Sequence, residues 1–184
     1  MPVDERTLGS SMHARRNDSR YLLGRMWDQD ATARLARGER LRDEGRYEEA
    51  IAVYADAIQR HPALAPYRFV IGELSFELQR YAEAANVFAE IVKVEPHHAQ
   101  AWAGLGRAAH LLGENGHAIA SLEQAILLAP DWAEPLYEVA LIYADAGQHA
   151  HAEDRLRRAL QRDPRLAPSA EEEGLLARYP AARP

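Results

Sequence analysis

The sequence has no cysteine, almost no lysine and no long apolar run, and these absences exclude several classes of protein. None of the 184 residues is cysteine, so neither a disulfide framework nor a thiolate site can form. No stretch approaches the roughly 18 apolar residues that a transmembrane helix needs. The amino terminus carries no hydrophobic secretory core before Tyr21, so we do not expect export by that route.

The charge balance narrows the class of partner. The chain has 22 basic and 28 acidic residues, and its net charge of −6 argues against a general nucleic-acid binder. Lys93 is the sole lysine, which is typical of the composition of GC-rich bacterial genomes. We therefore expect a protein of the bacterial cytoplasm with no membrane span and no nucleic acid among its partners.

A period of 34 residues organises the chain between residues 31 and 166. Prolines recur at this spacing at Pro62, Pro96, Pro130 and Pro164. Alanines recur at Ala50, Ala84, Ala118 and Ala152, and a third series of small residues is Gly38, Gly72, Gly106 and Ala140. A fixed period of this length predicts a stack of similar helical units, because each unit buries its apolar face only against its neighbours.

The repeated pattern resembles the tetratricopeptide repeat family, whose motif runs aromatic, Leu-Gly, Tyr, then Ala, Phe, Ala and Pro. The third unit matches it best, through Trp102, Leu105, Gly106, Gly113, Ala118, Ala125 and Pro130. Arg34 and Arg37 replace the early Trp and Leu in the first unit. The resemblance implies an all-α fold, a right-handed α-α superhelix (a tetratricopeptide solenoid) of four helix hairpins at residues 31–64, 65–98, 99–132 and 133–166.

Small residues within and between the helices have separate physical explanations. Glycine in the middle of a helix costs up to about 1 kcal/mol relative to alanine, so Gly38, Gly72 and Gly106 predict that another backbone comes close. Gly113 and Gly147 fall between helices and suit a left-handed conformation that ends the first helix of a unit. Each repeated proline is expected to close a second helix, because it has no N–H group to donate.

Residues 1–30 lie outside the 34-residue register. Residues 1–17 are polar and aperiodic, and we expect them to be disordered. Asp18 or Ser19 can cap a short amphipathic helix over residues 18–28 that carries Leu22, Leu23, Met26 and Trp27. This helix has three possible roles: it caps the first unit, it binds a partner or a second copy, or it occupies the groove of its own chain.

Residues 167–184 are predicted to form one helix that caps the fourth unit, followed by a tail. Ser169 and Glu172 make a capping-box pattern, and Pro180 would stop the helix. Leu175, Leu176 and Tyr179 provide an apolar stripe that can cover the fourth unit. Gly174 lies 34 residues after Ala140, which suggests the first helix of a fifth unit.

No residue pattern indicates catalysis or a cofactor. The histidines worth considering as metal ligands are His97, His98, His117, His149 and His151, and isolated solvent-facing side chains explain them better than a metal site. The glycines mark repeats and form no phosphate-binding loop, and no serine has the surroundings of a hydrolase nucleophile. We therefore predict no enzyme activity, no metal and no cofactor.

The resemblance implies that the first helix of each unit lines a concave groove. The family positions correspond to Phe69, Val70, Glu73, Phe76 and Glu77 in the second unit; Gln100, Ala103, Gly104, Arg107, His110 and Leu111 in the third; and Glu134, Tyr137, Glu138, Leu141 and Asp145 in the fourth. Some relatives bind the acidic terminus of a chaperone through Lys and Asn. That clamp is missing, because Phe69, Glu73, Gly104, Glu134 and Glu138 stand at its positions.

The sequence thus predicts a noncatalytic scaffold or adaptor that binds a peptide or helix of a partner protein. Aromatic side chains among five carboxylates favour an apolar segment flanked by Lys or Arg, although carboxylates can also serve only to keep a groove soluble. Two alternatives are a chaperone for a secreted protein and a structural protein that self-assembles into a homo-oligomer through residues 18–28.

Overall fold

The computed structural model describes residues 29–182, and within this range the secondary structure is entirely helical, without a strand. The amino-terminal tail and the helix predicted over residues 18–28 lie outside the described residues. The chain divides into two compact units, Met1–Ala65 and Pro66–Pro184. The longer helices are α1 (29–43, in its described part), α2 (Tyr47–Arg60), α3 (Arg68–Glu77), α4 (Tyr81–Val94), α5 (Ala99–Leu111), α6 (Asn115–Leu128), α7 (Glu134–Asp145) and α8 (His149–Arg162).

The first unit contains the hairpin of α1 and α2. A Cβ atom added at Gly38 would lie 2.8 Å from the ring of Tyr54, so α1 comes close to α2 only because this position has no side chain. Leu41, Ala50 and Ala57 are buried in the same unit. Arg34 of α1 adds an ion pair with Asp56 of α2. The chain leaves α2 through a 3₁₀ helix over Pro62–Tyr67, which begins at a repeated proline.

The second unit stacks three hairpins, α3–α4, α5–α6 and α7–α8. Each helix contacts the next one along the chain, and α5 also contacts both α3 and α7. The first helices of the three hairpins therefore lie side by side and form one wall. The buried core behind this wall includes Phe88, Leu122, Leu136, Leu156 and Leu160.

The repeated glycines make room for large side chains. A Cβ atom on Gly72 would lie 2.7 Å from the ring of Phe88, and one on Gly106 would lie 2.7 Å from Cγ of Leu122. The expectation that another backbone comes close was wrong at Gly38 and Gly72, where the nearest atoms belong to a side chain of the second helix. Only at Gly106 does a backbone atom, the carbonyl oxygen of Ala118, also come within 3.0 Å.

The turn inside each hairpin uses a left-handed residue. Gly113 and Gly147 have φ angles of 80° and 70°, as predicted from their positions between helices. Gln79 holds the equivalent place between α3 and α4 with a φ of 58°. A side chain other than glycine is strained in this conformation, so the α3–α4 turn is the exception among the described hairpins.

The carboxyl-terminal segment forms two short helices in place of the single predicted one. These are α9 (Ala167–Glu172) and α10 (Leu175–Arg178), flanked by 3₁₀ turns at Pro164–Leu166 and Pro180–Ala182. Gly174 interrupts the helix with a φ of 70° and is not the packing position that its spacing from Ala140 suggested. Ser169 lies inside α9 and makes no capping box, since the helix begins after Leu166 without a side-chain cap.

The short helices pack their apolar side chains on the last hairpin. Ala170, Leu175, Leu176 and Tyr179 belong to the same buried cluster as Leu156 of α8. The hydroxyl of Tyr179 lies 2.8 Å from Nδ1 of His149 at the start of α8. We infer that the segment covers an apolar face of the last hairpin despite its break at Gly174.

Candidate functional site

Two adjoining cavities open on the wall formed by α3, α5 and α7. The first, here called the acidic cavity, has a volume of about 270 Å³, and the second, here called the apolar cavity, about 290 Å³. Phe76, Arg107 and Glu138 line both. The acidic cavity also contains the predicted site residues Phe69, Glu73, Glu77 and Glu134, and the apolar cavity also contains His110, Leu111 and Leu141.

Aromatic rings form the floor of the acidic cavity. Phe69 stacks on His98 with ring centroids 5.3 Å apart and lies 5.6 Å from Phe88. Phe88 is only 2% exposed, yet it reaches the cavity wall because Gly72 and Gly104 have no side chains on either side of its ring. His98 itself is held at the start of α5, where its Nδ1 accepts a hydrogen bond from the Ala101 N–H at 3.2 Å.

Three lining residues of the acidic cavity were not among the predicted groove positions. Phe88 comes from α4, Trp132 from the turn before α7, and Pro135 from the first turn of α7. The signal for Phe88 was present in the sequence, because two glycines at non-equivalent repeat positions, Gly72 and Gly104, flank one large ring. No comparable signal singled out Trp132 or Pro135.

Arg107 sits between an aromatic ring and a carboxylate at the junction of the two cavities. Its Nε lies 3.2 Å from Oε1 of Glu138, and its Cζ lies 4.5 Å from the centroid of the Phe76 ring. A guanidinium group over a ring face is attracted by the ring quadrupole. The ring and the carboxylate together hold Arg107 across the wall, from α5 to α7.

Glu138 is the least solvated acid of the site. Its side chain is 25% exposed, and its Oε2 atom is buried without a hydrogen-bond partner among the described residues. Burial raises the pKa of Glu138 to about 7, with Arg107 opposing this rise and Glu134 adding to it. Near neutral pH the carboxyl group therefore exchanges readily between its neutral and charged forms.

The remaining predicted residues, Val70, Tyr137 and Asp145, line neither cavity. Tyr137 is 7% exposed and belongs to the core of the second unit. Burial, followed by the nearby carboxylate of Glu173 in the carboxyl-terminal segment, raises the pKa of Tyr137 to about 12. The expectation that Tyr137 offers an aromatic groove contact is therefore corrected, because the segment beside it takes up that side of α7.

The histidines considered as metal ligands have separate local contacts. His117 lies 3.3 Å from Glu114, His149 contacts Tyr179, and the His151 ring lies 5.1 Å from that of Tyr143. Within residues 29–182, no group of three or more His, Asp or Glu side chains is arranged to hold a metal ion. In the same range, no helix is both long and apolar enough to cross a lipid bilayer.

Two models of the tetratricopeptide repeat match the sequence. One matches residues 41–107 and again 75–138, which together span more than half of the chain, and the other matches residues 12–65. No curated protein matches it.

Several solved structures share the architecture. A crystal structure of MamA protein has a TM-score of 0.71 and 22% identity, covering 83% of this chain and 84% of that chain. MamA from Desulfovibrio magneticus RS-1 has a TM-score of 0.68 and 18% identity, covering 73% and 76%. A thermophilic TPR protein from Thermus thermophilus has a TM-score of 0.63 and 21% identity, covering 83% and 87%. These similarities confirm the predicted all-α fold, and at such identities they show the fold alone.

Proposed function

Because the chain belongs to the tetratricopeptide repeat family, we propose that it is a noncatalytic scaffold or adaptor that binds a segment of a partner protein on the wall formed by α3, α5 and α7. Repeat proteins of this kind use extended surfaces built from successive units for protein binding. The observation that carries the proposal is the pair of adjoining cavities, one acidic and one apolar, which meet at Arg107 and Glu138.

The charges of the acidic cavity favour a basic segment. Four carboxylates line it, from Glu73, Glu77, Glu134 and Glu138, and Arg107 is the only Lys or Arg side chain among the described residues that line it. Complementary charges mainly set orientation, partner choice and association rate, whereas buried aromatic and aliphatic contacts supply most of the affinity. Phe69 and Phe76 in the acidic cavity and Leu141 in the apolar cavity offer such contacts. An apolar segment with Lys or Arg beside it matches both properties.

A displayed library of random peptides tests the proposal without knowledge of the partner. We expect the parent protein to enrich apolar or aromatic peptides that carry Lys or Arg, with retention that weakens as salt is added. Glu134→Arg combined with Glu138→Arg should lose these peptides. Glu90→Arg combined with Glu171→Arg changes the net charge equally at exposed positions outside both cavities and should keep them. Enrichment of acidic peptides, or equal retention by both double variants, would contradict the proposed surface.

Self-association is a second candidate because residues 18–28 have the composition that the groove favours. This segment combines Arg20 and Arg25 with Leu22, Leu23, Met26 and Trp27. We propose that this segment of one copy binds the wall formed by α3, α5 and α7 in another copy. Light scattering of the full chain and of a variant without residues 1–28 checks this: a concentration-dependent increase in mass for the full chain alone supports it, and equal masses argue against it. A role as a chaperone for a secreted protein stays an untested prediction.

A further inference from the structure

We propose that the acidic cavity binds the ammonium group of one lysine of the partner, and that the apolar cavity binds an apolar side chain of the same segment. This inference rests on the proposed function, because it needs a peptide on the wall of α3, α5 and α7. It goes further by naming the side chain, its counter-ion and the neighbouring contact.

Glu138 provides the acceptor. Arg107 holds its Oε1 atom at 3.2 Å, whereas its Oε2 atom is buried and has no hydrogen-bond partner in the described part of the chain. A buried acceptor without a partner costs free energy, and a ligand that donates a hydrogen bond to it removes that cost. Four carboxylates and one guanidinium group line the cavity, so a cationic donor also brings its net charge closer to zero. Glu138 lines the acidic cavity, but its Oε2 atom has almost no exposed surface, so the carboxylate must turn for a cation in the cavity to reach this oxygen.

The geometry favours lysine over arginine. A guanidinium group binds a carboxylate best through two parallel hydrogen bonds, which require both carboxylate oxygens. One oxygen of Glu138 is already taken by Arg107, so a second guanidinium cannot form the bidentate pair without displacing the first. An ammonium group is a compact charge that can donate to a single oxygen. Lysine can therefore join the existing pair, and arginine must compete with it.

The cavity walls suit the lysine stem. Phe69, Phe76 and Trp132 line the acidic cavity together with Glu138, so apolar surface surrounds the acceptor. Long cationic side chains cover such surface with their methylene groups while their charged end remains at a polar group. The Cζ atom of Arg107 lies 4.5 Å from the centroid of the Phe76 ring, so the guanidinium group covers part of this apolar surface.

The apolar cavity explains why a second side chain should bind beside the lysine. It shares Phe76, Arg107 and Glu138 with the acidic cavity and continues along Leu111, Leu141 and Ile142. An aliphatic side chain placed there would bury apolar area on the other side of the Arg107–Glu138 pair. The recognised element is thus a lysine and an apolar residue with a fixed separation along the bound segment.

Binding of lysine should strengthen as pH rises through about 7, the value to which burial raises the pKa of Glu138. The other charged or titratable groups that face this region are Glu73 and Glu77 from α3, Arg107 and His110 from α5, and Glu134 from α7 itself. A lysine side chain stays protonated over this range, so the titration belongs to the protein. Removing the carboxyl group of Glu138 separates its contribution from those of the other groups.

Synthetic peptides test the assignment on the full chain. Each peptide carries a leucine and, at a varied separation from it, either lysine, acetyl-lysine, norleucine or arginine in an otherwise Gly-Ser background. Binding is followed through the NMR shifts of the amide groups of Ala103 and Gly104 in the acidic cavity. We expect the best lysine peptide to bind about tenfold more tightly than its acetyl-lysine and norleucine forms, and more tightly than its arginine form.

Substitution of Glu138 decides the outcome. In Glu138→Gln the advantage of lysine over norleucine should nearly vanish together with its pH dependence, whereas in Glu77→Gln, a more exposed acid of the same cavity, it should persist. If the peptides shift Ala103 and Gly104 but arginine binds as well as lysine, or Glu138→Gln keeps the lysine preference, the lysine site is wrong and the proposed surface stands. If neither these nor library-selected peptides shift the groove residues, the proposed function fails as well.

Discussion

Helices α1 and α7 are the first helices of the first and fourth 34-residue repeats, but they are stabilised in different ways. Within its described part, α1 buries two residues, Gly38 and Leu41. Helix α7 buries seven: Pro135, Leu136, Tyr137, Val139, Ala140, Ile142 and Ala144. The repeat register therefore specifies where a helix lies without specifying how much apolar surface it buries.

Ion pairs are prominent where apolar contacts are few. Arg34 in α1 pairs with Asp30 at 2.8 Å and also with Asp56 of α2. These side chains are 28% to 48% exposed, and ion pairs with this much exposure to solvent contribute little to stability. Full burial of one leucine contributes about 1.5–3 kcal/mol. A helix such as α7 is thus stabilised mainly by its neighbours, whereas α1 gains a larger share from weak surface charges.

The largest expected effect comes from shortening a buried side chain of α7. Leu136→Ala in α7 removes a side chain with no exposed area and should lower the free energy of unfolding by about 2–5 kcal/mol. Arg34→Ala in α1 should lower it much less, because exposed ion pairs contribute little to stability. Urea titration followed by circular dichroism measures both. Similar losses for the two variants would show that the ion pairs of α1 matter more than their exposure implies.

A smaller effect should distinguish the two helices by the way in which their acidic residues make the stability of the protein depend on pH. The pKa of Glu138 in α7 is raised to about 7 from 4.5 in the unfolded chain, so the folded state binds more protons between these values. Stability that Glu138 contributes is complete below about pH 4.5 and is lost as pH rises through about 7, by on the order of 1–2 kcal/mol. Glu138→Gln should remove this loss and be the more stable protein at pH 8.

Asp30 in α1 provides the opposite case. Hydrogen bonds from Arg34 and then His61 lower the pKa of Asp30 to about 2, so its contribution is present above 3.8 and is lost as pH falls through about 2. Asp30→Asn should therefore lower stability above about pH 3.8 and match the parent in strong acid, whereas Glu138→Gln should match the parent in acid and be more stable towards neutral and higher pH. Melting temperatures across this range check both, and a Glu138→Gln profile parallel to that of the parent would show that the carboxyl group is more solvated than its surroundings imply.

The sequence contained most of the information on helix order. The spacing of prolines and small residues predicted the all-α repeat fold, because turn and close-packing positions impose local rules that recur in every hairpin. The same rules failed at the carboxyl end, where Gly174 was taken for a packing glycine although it breaks the segment in a left-handed conformation. Packing and turn glycines look alike in one sequence when the next repeat is incomplete.

The composition of the candidate site was only partly predictable. The groove positions implied by the family resemblance include Phe69, Phe76 and Glu138, and the structure brings these three side chains to one cavity, while their role in partner binding stays a prediction. They could not show that the carboxyl-terminal segment lies beside Tyr137, or that Phe88 reaches the cavity from a second helix. The free oxygen of Glu138 depends on side-chain geometry across α5 and α7, which no periodic pattern encodes.

The smallest expected effect concerns the turns that join the paired helices. The α1–α2 and α7–α8 turns both place glycine in the left-handed region, at Gly45 and Gly147, whereas the α3–α4 turn places Gln79 there with a φ of 58°. A left-handed residue other than glycine costs about 1–2 kcal/mol, and the greater backbone entropy of glycine in the unfolded chain offsets about 0.5–1 kcal/mol of that cost. Gln79→Gly should therefore stabilise the protein by about 0.5–1 kcal/mol.

The converse change, Gly113→Gln, should destabilise it by a similar amount, because nothing lies within 4 Å of an added Cβ atom there and strain is the only cost. Denaturant midpoints of the two variants measure the pair, and a loss of stability in Gln79→Gly would mean that the glutamine side chain makes a contact worth more than the strain of its backbone.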